Sequence, residues 1–135
     1  MPKFEYYGPV KGQERPRFTK FGHPYETIEA KKYKAAIAAA YLVEVGKRFE
    51  GVALEVQVHA YKPLARNVPK RVTRQPWTAK PDADNIGKAV LDALNGVAWK
   101  DDSQVVRLEV VKHDRTRHVA EGLNVYIREV FSDED

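Results

Sequence analysis

The stretch Lys80–Val105, KPDADNIGKAVLDALNGVAWKDDSQV, changes its period part-way along. From Asp84 to Asn95 the apolar residues recur at helical spacing, and Gly96 follows where a helix would stop. Ile86, Ala89, Val90, Ala93 and Leu94 share one arc, joined by Val97 if the helix extends. Asp84, Lys88, Asp92 and Asn95 fall within about 80° of one another on the opposite arc. Leu91 lies among these polar residues, a position suited to packing against a neighbour or a second subunit. From Gln104 the pattern becomes alternation: Val106, Leu108 and Val110 against Arg107 and Glu109. A helix that runs into a strand makes this an α+β pattern.

The same test extends outward. VALEVQVHAY, Val52 to Tyr61, alternates cleanly and reads as a half-buried strand. LNVYIREV, from Leu123, is another, and a hairpin with the strand before it is expected. Phe4 to Tyr7 is a short strand closed by Gly8-Pro9. Tyr25 to Phe49 is an alanine-rich helix, with Thr27 as candidate N-cap and Gly46 or Gly51 as its stop. The expected order is β-α-β-α-β-β, one α+β domain over residues 1–135 whose helices pack on a mixed or antiparallel sheet, with an acidic tail at 132–135.

Composition sets limits. Hydrophobic residues make up 43% and charged residues 31%, a globular balance. There is no cysteine, so disulfides, thiolate metal sites and cysteine nucleophiles are excluded. No apolar leader or membrane-length run occurs, and a cytoplasmic protein is expected. The net charge is +4, but its distribution says more. Between Lys62 and Pro81 lies a long, proline-rich loop. Its cations are Lys62, Arg66, Lys70, Arg71, Arg74 and Lys80, and it has no acid. KHDRTRH, Lys112 to His118, is a second basic stretch. Clustered cations favour a polyanion. The four histidines lack metal spacing and read as structural, and Trp77 and Trp99 as packing residues.

The acids gather beside this loop. Asp82 and Asp84 lie one residue apart, and Asp101-Asp102 precede the next strand. If that strand lies beside the start of the helix, three carboxylates converge. Oxygen-only ligands suit Mg²⁺ or Mn²⁺. Such a cation can hold a phosphate oxygen and activate water, and Lys88 on the same helix face can steady transition-state charge. A plainer use exists for each: Asp84 as N-cap, Asp82 and Asp101-Asp102 as turn residues, Lys88 as an i,i+4 partner.

The stretch closely resembles the signature of the RusA family of Holliday junction resolvases. Its elements stand here as Lys80-Pro81-Asp82-Ala83-Asp84-Asn85-Ile86-Gly87-Lys88, then Asp92-Ala93-Leu94-Asn95-Gly96, then Asp101-Asp102-Ser103-Gln104-Val105. KGQERPRF is similar to the family's N-terminal Arg-Pro-Arg segment, here Arg15-Pro16-Arg17. The resemblance implies that Asp82, Asp84, Asp102 and Lys88 are catalytic. The metal ligands would be the three aspartates, with Asp101 as a further candidate. It implies a Mg²⁺-dependent homodimer that cuts opposed strands of a four-way DNA junction, in phage or bacterial recombination and repair. A less selective flap or fork DNase and a non-cleaving DNA-binding protein are the alternatives. Arg15, Arg17, Arg66, Lys70, Arg71, Arg74 and Lys80 are the candidate DNA contacts, and Asp92 and Gln104 have no assigned task.

Overall fold

The computed structural model describes residues 1–131, so the acidic tail read at Ser132–Asp135 lies outside the described residues. In chain order come β1 (Lys3–Tyr7), β2 (Arg17–Phe18), β3 (Pro24–Tyr25) and α1 (Ile28–Glu44). Next are β4 (Ala53–Tyr61), β5 (Arg74–Gln75), α2 (Ala83–Leu94) and a 3-10 turn (Asp102–Gln104). The chain continues through β6 (Val105–Lys112), β7 (Arg115–Thr116) and β8 (Gly122–Val130). The four long strands form one mixed sheet in the order β1-β8-β4-β6, and both helices pack on the sheet or its edge strands. The α+β reading holds. The short strands make two small ladders, β2 with β3 and β5 with β7.

The expected hairpin between the last two long strands does not form. β8 runs antiparallel to β4 and to β1, while β6 lies parallel to β4 on its other side. Alternation reveals a strand and its buried face but not its partner. Here a helix, α2, intervenes between β4 and β6, which gives the chain the crossover that a parallel pair needs.

α1 is shorter than its composition suggests. Thr27 caps it, its Oγ1 accepting from the Ala30 amide at 3.2 Å. Tyr25, expected inside the helix, pairs in β3 instead. The helix ends before Gly46, whose φ of +68° is the left-handed turn that glycine allows. Ala30, Tyr33, Ile37 and Tyr41 form its buried stripe. Tyr41 meets Phe4 edge-on at 5.7 Å, and Tyr33 meets Tyr6 at 5.5 Å, so α1 is keyed to β1.

The buried arc of α2 is Ile86, Gly87, Ala89, Val90, Ala93 and Leu94, the expected set with Gly87 added. Fully burying Ile86 or Leu94 is worth about 1.5–3 kcal/mol each. Phe4, Leu54, Val56, Val58, Leu123, Val125 and Ile127 are among the sheet's contributions to the core. β6 departs from expectation. Val106 is 62% exposed and Leu108 39%, because β6 is an edge strand that α2 covers only in part.

Candidate nuclease site

α2 carries the site, and its docking follows from a missing side chain. A Cβ at Gly87 would lie 2.8 Å from Val110 Cγ2 and 3.0 Å from Leu108 Cδ2. Only glycine lets the helix approach β6 this closely. Gly12 does the same at the start of the helix, where a Cβ would meet Asn85 Cβ at 2.9 Å. The Gln13 amide donates to Asn85 O at 2.9 Å. The segment that leads to Arg15 and Arg17 is thus fastened to the first turn of α2. Neither glycine was singled out from sequence. Gly87 stands on the apolar arc, which was the one available signal.

The N-cap of α2 is Asp82, not Asp84, and its side chain makes no capping bond. Asp84 lies inside the first turn, where its charge favours the helix dipole. Both carboxylates are exposed and free of the backbone. Lys88 Nζ stands 3.8 Å from Asp84 Oδ2, one turn on, and both side chains are open to solvent. Asp92 is engaged elsewhere: Lys34 bridges it to Glu26, which ties α2 to α1.

Asp102 lies at the other end of the helix. Its amide donates to Asn95 Oδ1 at 3.1 Å, and Trp99 Nε1 donates to its Oδ1 at 2.8 Å. Burial pushes the Asp102 carboxyl above its usual range; the indole bond works against this, and Asp92 and Asp101 add to the rise. Eleven residues of helix separate Asp84 from Asn95, a rise of about 16 Å. Among the described residues no three acids or histidines gather closely enough to hold a metal ion. One chain therefore brings Asp82, Asp84 and Lys88 to one place and holds Asp102 at another. Asp101 sits in the turn, accepting from Ser103 Oγ at 2.9 Å. Gln104 latches that turn, accepting from the Lys100 amide and donating to Phe49 O and Val52 O.

The basic loop is exposed at Arg66, Lys70, Arg71, Arg74 and Lys80, as are Arg15 and Arg17. Only Arg74 among these seven has an ion-pair partner in the described residues, Asp114 at 2.8 Å. KHDRTRH proves to be the loop's anchor. Arg117 Nη2 donates to Val68 O, Pro69 O and Val72 O at 3.3, 2.7 and 2.9 Å. Arg115 donates twice to Pro63 O, and Lys112 once to Ala79 O. The β5–β7 ladder adds a further tie. Trp77 and Trp99 are buried, as expected of packing residues. His59 and His113 face each other at 2.8 Å between ring nitrogens, with Tyr61 stacked on His113.

The arrangement is a helix start bearing two free carboxylates and an ammonium, entered from a pinned cationic loop. Residues 7–128 match the family model for the endodeoxyribonuclease RusA. The chain belongs to the RusA family. A relative from Bacillus subtilis (strain 168), "Uncharacterized protein YqaN", is 35% identical, over 82% of this chain and 85% of its own. As a RusA-family member the chain is a metal-dependent endodeoxyribonuclease, a Holliday junction resolvase acting on branched DNA in recombination. Among the described residues no helix is long and apolar enough to cross a membrane.

Proposed function

We propose that the chain resolves four-way junctions as a Mg²⁺-dependent homodimer in the cytoplasm, each active site cutting one of two opposed strands. The observation that carries this reading is the exposed group Asp82, Asp84 and Lys88 at the end of a cationic loop. Mg²⁺ is commonly held by one or two carboxylates, waters and substrate phosphates, and Asp82 and Asp84 supply that donor set. Mn²⁺ suits the same oxygens. When bound, the cation supplies Lewis-acid activation of the phosphoryl group and of water.

The protein's own groups do the rest. Arg15, Arg17, Arg66, Lys70, Arg71, Arg74 and Lys80 grip backbone phosphates and exclude water from the site. Lys88 steadies the charge that develops on the phosphate oxygens. Asp102 is the third carboxylate, and its distance from Asp84 within one chain supports its delivery by the second subunit. A two-fold dimer then carries two equivalent sites, which paired symmetric cuts require.

Labelled four-way junction, flap and linear duplex, with and without Mg²⁺, test the reading. The junction alone should be cut, in symmetric pairs of ligatable nicks, and EDTA should stop it. Equal cutting of flaps would establish a less selective DNase in place of a resolvase.

A further inference from the structure

Residues 15–25, RPRFTKFGHPY, interleave Arg15, Arg17, Lys20 and His23 with Phe18, Phe21 and Tyr25, and no acid stands among them. Every residue of the stretch is exposed. Phe18 is 62% open to solvent, Phe21 76% and Tyr25 47%. Single exposed apolar side chains are ordinary, but three rings within eight residues form a patch, and such patches mark interaction sites.

The segment is built, although it serves no core. β2 and β3 make it a hairpin that sets Phe18 opposite Pro24 and Arg17 opposite Tyr25. Residues directly opposite share a face, so one face carries a ring and a proline and the other carries a cation. The tip is closed by Thr19, whose amide donates to His23 O and whose carbonyl accepts from the Gly22 amide, both at 2.9 Å. Thr19 Oγ1 also accepts from the Phe21 and His23 amides at 3.3 and 3.2 Å. Lys20 Nζ lies 5.2 Å from the centre of the Phe21 ring. The root is fixed as well. Thr27 Oγ1 donates to the Glu14 carboxylate at 2.9 Å, joining the two ends of the excursion, and the Gln13 amide holds Asn85 O, one residue beyond Asp84.

We propose that this hairpin is a stacking element for branched DNA, with Phe18 and Phe21 lying against nucleobases left uncovered where the arms meet. The proposal rests on the resolvase reading above and names residues by which the branch is told from a continuous duplex. Cations beside aromatic rings suit single-stranded or unstacked DNA, the cations tracking phosphates and the rings covering base faces whatever the sequence. In an unbroken duplex each base face is already stacked, and uncovering one costs free energy. At a branch the stack is interrupted, and a ring meets an open face without that cost.

Anisotropy titrations of the full chain in EDTA test this, with a four-way junction and a linear duplex of the same arm sequence. Phe18→Ala and Phe21→Ala should each lower junction affinity by at least about fivefold, the low end for one lost base–aromatic stack, and leave duplex affinity as in wild type. The slope of log K against log salt should not move, because a ring releases no counterion. Phe21→Trp should bind junction at least as tightly as wild type. A 2-aminopurine at the branch should change its emission on binding wild type and not on binding Phe21→Ala. Both alanine variants should keep the wild-type melting temperature and sedimentation. Variants that bind junction as wild type does, or that lose duplex affinity equally, would overturn the proposal. So would a change of oligomeric state in either variant, which would give the rings to a subunit contact. Junction cleavage by wild type in Mg²⁺ reads the resolvase function separately. Cleavage with unaffected ring variants rejects only the stacking, whereas a wild type that neither binds nor cuts junction rejects the functional reading and this one with it.

Discussion

Lys88 admits two roles whose magnitudes lie far apart. As an exposed i,i+4 partner of Asp84 at 3.8 Å it contributes only about 0.3–0.5 kcal/mol. As a group facing transition-state charge, its loss costs on the order of 10²–10³ in rate. Lys88→Ala should therefore melt with wild type, bind junction within a fewfold, and cleave at least about a hundredfold more slowly in single-turnover assays. Asp84→Asn should abolish cleavage and leave junction binding intact or tighter. Because Asp84 is inside the first turn and not the cap, the change removes a dipole interaction of about 0.3–1 kcal/mol and the weak pair with Lys88, and melting should fall by no more than a few degrees. Full activity in either variant would remove that residue from the chemistry. These side chains were legible in the sequence because helical spacing fixes which residues share a face. Asp102's place was not, since the path of the chain after Gly96 depends on the indole of Trp99 and the latch of Gln104.

Between loop and strand, the two basic stretches divide the labour. The first presents cations; the second fastens it by donating to its carbonyls. Arg71→Ala should lower junction affinity and reduce the slope of log K against log salt by about 0.9, one released counterion. Arg117→Gln should lower affinity through a loosened loop yet leave that slope unchanged, because its guanidinium binds Val68, Pro69 and Val72, not phosphate. Titrations at several salt concentrations separate the two. Charge counting alone could not assign these tasks, since an arginine that holds a loop and one that holds DNA look alike in sequence. Strand partners were hidden for a related reason. Alternation in β6 and β8 marks a buried face but carries no record of β4 lying between them.

At the level of the assembled molecule, a divided site makes a definite forecast. A heterodimer of one Asp82→Asn chain and one Asp102→Asn chain would place both losses in one site and leave the other whole. It should nick one strand of a junction, whereas sites built within single chains would leave it inert. Acid stability follows from the sheet's outer face. Hydrogen bonds from Arg128 and Gln57 hold the Glu55 carboxyl below its usual range of about 4.5. A depressed pKa stabilises the fold above the unfolded value and loses that contribution as pH falls through the folded one. Melting temperature should thus drop below about pH 4.5, and Glu55→Gln should flatten that drop. The order of the central sheet bears on biosynthesis too. β8, the last of these four strands to be made, is the one that lies between β1 and β4, pairing Phe4 with Val125 and Val56 with Ile127. Until residues 122–130 emerge, β1 and β4 have no common neighbour, so the nascent chain cannot close its core in the order it is made. This nuclease therefore exists as a folded object only once residues 122–130 have emerged, which defers its DNA-cutting capacity until that segment has been made.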